Sequence, residues 1–164
     1  FGTDQLCVCS PSGLQRYSRK LSGPIMDRLD LWVEVPKVEY EHLVPRQARA
    51  GLSGTRKSDG EETAAMRHRV VQTRKIQKQR FSEASRRLML NADMNVKELE
   101  YYVPIAPEVR SALNAAAEKL ALSARAYHRS IKIARTLADL AGDEHIKEEH
   151  ILEAISYRPR QNVA

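Results

Sequence analysis

The chain has 164 residues, with 27 lysines and arginines against 21 acidic residues, a formal net charge of +6 and a pI near 9.5. That length fits one ordinary domain, or the end of one domain plus a smaller second one, and the charge suits acidic partners such as nucleotides or nucleic acid without choosing between them. No apolar run approaches the ~20 residues that span a bilayer, no signal peptide opens the sequence, and two cysteines make no disulfide framework, so the expected compartment is a reducing cytoplasm. Starting at Phe1, the chain reads as a piece of a longer soluble protein.

Residues 1 to 44 read as the end of an α/β unit. Cys7-Val8-Cys9 could supply half of a zinc site, but this chain has no other cysteine to complete four ligands, so within it two free thiols are expected, with a site completed by residues before Phe1 as the alternative. Ser10-Pro11 opens a short helix with Leu14, Tyr17 and Leu21 on one face. A Gly23-Pro24 turn then leads through Asp27-Arg28 into Leu31, Val33 and Val35, which alternate with Trp32 and Glu34 as in a strand. A lone strand cannot bury itself, so its sheet is expected upstream or in another chain. The turn should hold Arg28 at a strand edge with its guanidinium projecting away from its own chain. A planar, permanent cation there suits the phosphates of a nucleotide bound by a neighbouring subunit. Taken alone, these residues favour the plainer reading, an ion pair of Arg28 with Asp27 or Asp30.

Residues 45 to 60 lack hydrophobic period and read as a mobile linker. Their Gly51-Leu52-Ser53-Gly54-Thr55-Arg56-Lys57-Ser58 is no phosphate-binding loop, because Arg56 stands where glycine is needed and no strand precedes it. Residues 61 to 158 look almost wholly helical, and 159 to 164 read as a disordered tail. A first long helix runs from Glu61 and Glu62 to about Arg80 with a thin apolar stripe of Met66, Val70, Ile76 and Phe81. A short helix follows over Val96 to Tyr102. Pro107 opens the next, burying Ile105, Val109, Leu113, Ala116 and Leu120. Ser123 caps another long helix that ends near Gly142 and turns Tyr127, Ile131, Ala134, Leu137 and Ala138 inward. A last helix carries Ile146, Ile151, Ala154 and Ile155. The sum is a four- or five-helix bundle.

Between Glu61 and Leu90 eight basic residues face three acidic ones. Arg67, Arg74, Lys75 and Lys78 make the first helix a candidate footprint for a polyanion, against the alternative of a merely solvated face. Arg125 sits in the first turn after Ser123, where the helix dipole disfavours a cation, which hints at an anion such as phosphate. Arg129 and Arg135 could lie on the wet face. His145 and His150, five apart, fall on different helix faces and read as surface or capping residues. No self-contained active site emerges.

SGPIMDRLDLWVEVP, LSARAYHRSIKIARTLADLAG and IKEEHILEAISYR, in that order, resemble the C-terminal part of magnesium-chelatase-like AAA+ ATPases of the ComM/YifB competence-protein type. The resemblance implies a mainly α chain: a helical-bundle AAA+ lid preceded by the last strand and helix of a truncated α/β core. It implies that Arg28 is the arginine finger reaching a neighbour's ATP, Asp27 its conformational partner, and Arg125 the sensor-2 arginine over the subunit's own γ-phosphate. ATP and Mg2+ would act in the full-length protein, a homo-oligomeric ring such as a hexamer with DNA as a further partner and no membrane. Walker A and Walker B motifs have no counterpart in this chain, so it should neither hold these cofactors nor hydrolyse ATP alone. The alternative from another class is a non-enzymatic helical module that binds nucleic acid through the basic helix of residues 61–90. A third, a chelatase subunit acting on porphyrin, is disfavoured by the SARAYHR wording.

Overall fold

The helix boundaries follow from local stereochemical signals. In this computed structural model, which describes residues 8–20, 23–35, 63–84 and 86–158, α1 spans Pro11–Ser18. Pro11 stands at its start, and Ser10 Oγ accepts the Gly13 amide. The single turn α2 spans Gly23–Met26. The long helix α3 covers Thr63–Arg80, and a 3-10 turn at Asn91–Asp93 leads into α4, Val96–Tyr102. Asn95 and Glu98 cap α4 reciprocally, side chain to amide in both directions. Helix α5 runs over Pro107–Lys119, α6 over Ala124–Ala141 and α7 over Glu148–Ser156. Ser123 Oγ accepts the Ala126 amide at 3.1 Å. At the other end of α6, Gly142 takes φ +79°, a left-handed conformation open to glycine at little cost.

Helix α6 is the hub, packing against α7, α3, α4 and the 3-10 turn, while α5 packs on α7. Ala134, Ala138 and Ala154 are fully buried, and their small side chains let α6 and α7 approach closely. Leu113, Met94, Leu99, Val103, Ile131, Ile146 and Ile151 fill the space around them. The expected inward faces of α5, α6 and α7 therefore hold. The mainly α fold class holds as well, and no helix among the described residues is long and apolar enough to cross a membrane.

Two local expectations fail. Met66, Val70 and Ile76 remain 39–46% exposed, and α3 instead buries Thr73 and Gln77 with Phe81 beyond its end. That face is polar because it meets a buried charge on α6. Residues 29–35 form no strand, and Leu31, Val33 and Val35 are exposed. Alternation supplies the pleat but not a partner ladder. The Trp32 amide instead donates to the Tyr157 carbonyl at 2.8 Å, at the end of α7. The proposed linker at 45–60, the tail at 159–164, Glu61, Glu62, Leu21 and Cys7 lie outside the described residues.

Candidate functional site

The turn after α2 carries Asp27 and Arg28 to the start of α6. Ser123 performs two tasks there: its hydroxyl accepts the Ala126 amide and donates to Asp27 Oδ1 at 2.6 Å, which a single hydroxyl can do at once. Asp27 thus pairs with a helix cap and not with Arg28. The Arg28 guanidinium is exposed and donates through Nη1 to the Pro24 carbonyl at 2.8 Å. This corrects two expectations, since the side chain turns back on its own chain and forms no ion pair with Asp27 or Asp30 among the described residues. The carbonyls of α2's single turn have no fourth residue to bond, which leaves Pro24 open to the guanidinium.

Asp30 pairs instead with Arg129, whose Nε lies 2.9 Å from Asp30 Oδ1. Arg129 Nη1 also donates to the Arg28 carbonyl. From the end of α7, Arg158 donates to the Leu29 carbonyl at 3.1 Å and to the Ala126 carbonyl at 3.0 Å. It is 7% exposed. Burial lowers its pKa from the usual arginine value, an effect partly offset by the charge of Asp30. Arg129 and Arg158 were not singled out in sequence as holding this turn; the bonds link residues 101 and 129 apart, and no local pattern encodes such pairings.

Arg125 is exposed in the first turn of α6 and makes no hydrogen bond or ion pair among the described residues. Its first-turn neighbours include no acid. A cation at the positive end of a helix, without a carboxylate to balance it, is a setting that favours an incoming anion. Arg28 and Arg125 therefore belong to elements fastened together at Ser123, and both guanidinium groups face solvent.

Arg67, Arg74, Lys75 and Lys78 lie elsewhere, on α3, all exposed and without ion pairs among the described residues. At 3.6 residues per turn, Arg67, Arg74 and Lys78 share a stripe about 40° wide, with Lys75 roughly 60° further round. Arg80 leaves this basic face: its guanidinium pairs with Asp139, as does that of Arg135 at 2.9 Å. Arg135 is 4% exposed, so its expected place on the wet face is overturned. It also donates to the Glu144 and Asp143 carbonyls at 2.7 and 2.6 Å, closing the α6 C-terminus. Asn91 and Gln77 complete the carboxylate's partners at 2.8 and 3.3 Å.

Of the two candidate metal arrangements, the one at Cys7 and Cys9 lies partly outside the described residues, and the carboxylates of the other are already paired with a lysine. Cys9 is exposed at the protein surface. Ligand atoms of Asp143, Glu149 and His150 come within 4.8 Å of one another, but the Lys147 ammonium already stands 2.8 Å from Asp143 and 3.7 Å from Glu149. The His150 ring is buried and its Nδ1 accepts the Lys147 amide at 3.1 Å. That makes it a capping residue at the start of α7.

Fold and site together define a helical lid that carries one guanidinium at a helix start and fastens to itself a turn bearing a second. Residues 60–158 match the family model described as magnesium chelatase, subunit ChlI C-terminal, and residues 1–43 match the one described as magnesium chelatase, subunit ChlI. The chain belongs to this magnesium-chelatase-like family and is of the ComM/YifB type. It is 40% identical over 149 residues to the competence protein ComM of Haemophilus influenzae, covering 91% of this chain and 26% of that protein. It is 33% identical over 150 residues to the uncharacterized YifB proteins of Salmonella typhimurium and Escherichia coli, covering 92% of this chain and 26% of each. The chain thus spans about a quarter of the length of the curated relatives it matches.

Proposed function

We propose that this chain is the lid and adjoining core edge of an AAA+ ATPase that works as a ring, in which Arg28 reaches the ATP of a neighbouring subunit and Arg125 contacts the γ-phosphate of the subunit's own ATP. The observation carrying this reading is Arg125: an exposed guanidinium at a helix start, with neither a carboxylate nor a carbonyl partner among the described residues. Such a group fits a polyphosphate. The described residues offer Mg2+ no comparable place, because Lys147 already compensates the carboxylates beside His150. The ion would be held with ATP by other parts of the full-length protein, where it supplies charge neutralisation for phosphoryl transfer. This chain's contribution is fixed positive charge aimed where negative charge develops, which lowers such a barrier by several kcal/mol.

Asp27 holds the finger-bearing turn through Ser123 and does not neutralise Arg28. DNA remodelling or branch migration is the work we assign to the ring, by extension from the competence relative. The test is separate Arg28→Ala and Arg125→Ala substitution in the full-length protein. Arg28→Ala should leave ATP binding intact and reduce turnover by about a thousandfold or more. Mixed rings should recover turnover wherever an intact finger faces a competent site. Arg125→Ala should weaken both binding and turnover. Normal turnover in either variant removes the role of that residue.

The second reading, a nucleic-acid-binding module, draws on Arg67, Arg74, Lys75 and Lys78, whose charges are exposed and uncompensated on α3. As an alternative it makes the chain a non-enzymatic module, whereas in the ATPase reading the same helix could still carry DNA contacts.

A further inference from the structure

The two guanidinium groups assigned to nucleotide ride on different segments, and those segments are joined by a specific set of polar contacts. Ser123, two residues before Arg125, donates to Asp27, one residue before Arg28. Arg129, one turn after Arg125, donates to the carbonyl of Arg28 itself and pairs with Asp30. Arg158 then bridges the Leu29 carbonyl on one segment and the Ala126 carbonyl on the other. Next along the chain, the Trp32 amide bonds to Tyr157, the residue before Arg158. We infer that Arg129 and Arg158 are positioning residues that lock the Asp27–Leu29 turn to the first turns of α6, so that Arg28 cannot move independently of Arg125; the consequence for ATP turnover rests on the ATPase reading above.

The physical grounds are the geometry of the fork and the exposure of most apolar side chains in the turn's segment. A guanidinium presents its N–H groups in a fixed plane, so a single buried Arg158 sets the spacing between the two carbonyls that it joins. The turn has no strand ladder to hold it among the described residues, and Leu29, Leu31 and Val33 are exposed. Met26 and Trp32 on either side are half-buried, so the polar contacts fix the turn itself between two partly packed side chains. An anion that draws Arg125 shifts the start of α6, and the latch passes the shift to Arg28. The state of one subunit's own site then sets how its finger is presented to the next subunit. Coupling of this kind is reciprocal: a finger engaged with a neighbour's phosphate changes the affinity at Arg125.

The test uses Arg158→Gln in the full-length protein, with Arg129→Gln as a second, more exposed position should the first not fold. Hydrogen exchange reads the latch directly. Peptides covering residues 27–33 should exchange about tenfold faster or more, with α5 unchanged. Steady-state ATP turnover reads the coupling. The expected result is kcat down by roughly ten- to a hundredfold, with KM within about twofold and the Hill coefficient reduced to about 1. Arg158→Lys should behave like Arg158→Gln, because an ammonium on a flexible stem does not reproduce the fork. A purely structural role would lower thermal stability and leave cooperativity intact, which would overturn the inference. So would unchanged exchange at residues 27–33, or faster exchange with normal kcat and cooperativity. If the wild-type ring neither binds nor hydrolyses ATP, the ATPase reading and the coupling fall together, while the exchange measurement still decides the latch.

Discussion

Asp139 is the residue whose removal should cost the fold most. Its side chain is 0% exposed, and it faces Arg135 and Arg80, whose side chains are 5% and 15% exposed. Asp139→Ala would leave two enclosed guanidinium groups without their counter-ion and strip Asn91 and Gln77 of an acceptor. Removing one partner of a buried pair costs about 3–5 kcal/mol. Arg135 keeps the Glu144 and Asp143 carbonyls and Arg80 keeps Asn91 Oδ1 at 2.9 Å, so the lower end applies. About 3 kcal/mol in a domain of this size should lower Tm by roughly 12–24 °C. Urea and thermal melts followed by circular dichroism measure it. A loss below about 1 kcal/mol would refute the view that this carboxylate holds α3, the 3-10 turn and α6 together.

The same cluster predicts a pH dependence. Burial alone would push the Asp139 carboxyl up, but hydrogen bonds from Arg80 and Asn91 and the charges of Arg135 and Arg80 outweigh it and hold the group below its ordinary value. A folded pKa lower than the unfolded one, about 3.9, means that the unfolded chain binds more protons between the two values. The stabilisation is therefore fully present above the unfolded pKa and is lost as pH falls through the folded one. The stability gap between wild type and Asp139→Asn should be wide at neutral pH and should close in acid, and a gap independent of pH would contradict the assignment. Gly142→Ala should cost about 1 kcal/mol, entirely through backbone strain at φ +79°, because a Cβ there meets nothing within 4 Å; a neutral effect in denaturant melts would contradict this. On α3, replacing Arg67, Arg74, Lys75 and Lys78 together by glutamine should flatten the salt dependence of duplex DNA binding by up to about 3.6 in log–log slope. An unchanged slope would take DNA off that face.

Much of the helical domain could be read in order along the chain. Asn95, Pro107, Ser123 and Gly142 mark helix ends through bonds or dihedrals that involve only neighbouring residues. Leu113, Ala134, Ala138 and Ile151 declare their buried faces by spacing alone. Arg28 and Arg125 could be proposed because motif and dipole arguments are also local. The partnership between their segments could not, since it joins Ser123 to a residue 96 positions away and Arg158 to one 129 away.

What residue order by itself determined is where helices start, where they stop and which stripe of each is apolar, because caps, dihedral preferences and the 3.6-residue repeat act within a turn or two. Tertiary structure decided the rest. Arg135 and Asp139, four apart, have the spacing of an ordinary surface pair, yet they are buried because Arg80 and Asn91 arrive from 59 and 48 residues away. The alternating stretch Leu31–Val35 has the pattern of a strand and no partner ladder among the described residues, so its fixed point is a helix end. Polar contacts between distant segments depend on how whole elements pack, and no short window of sequence carries that information.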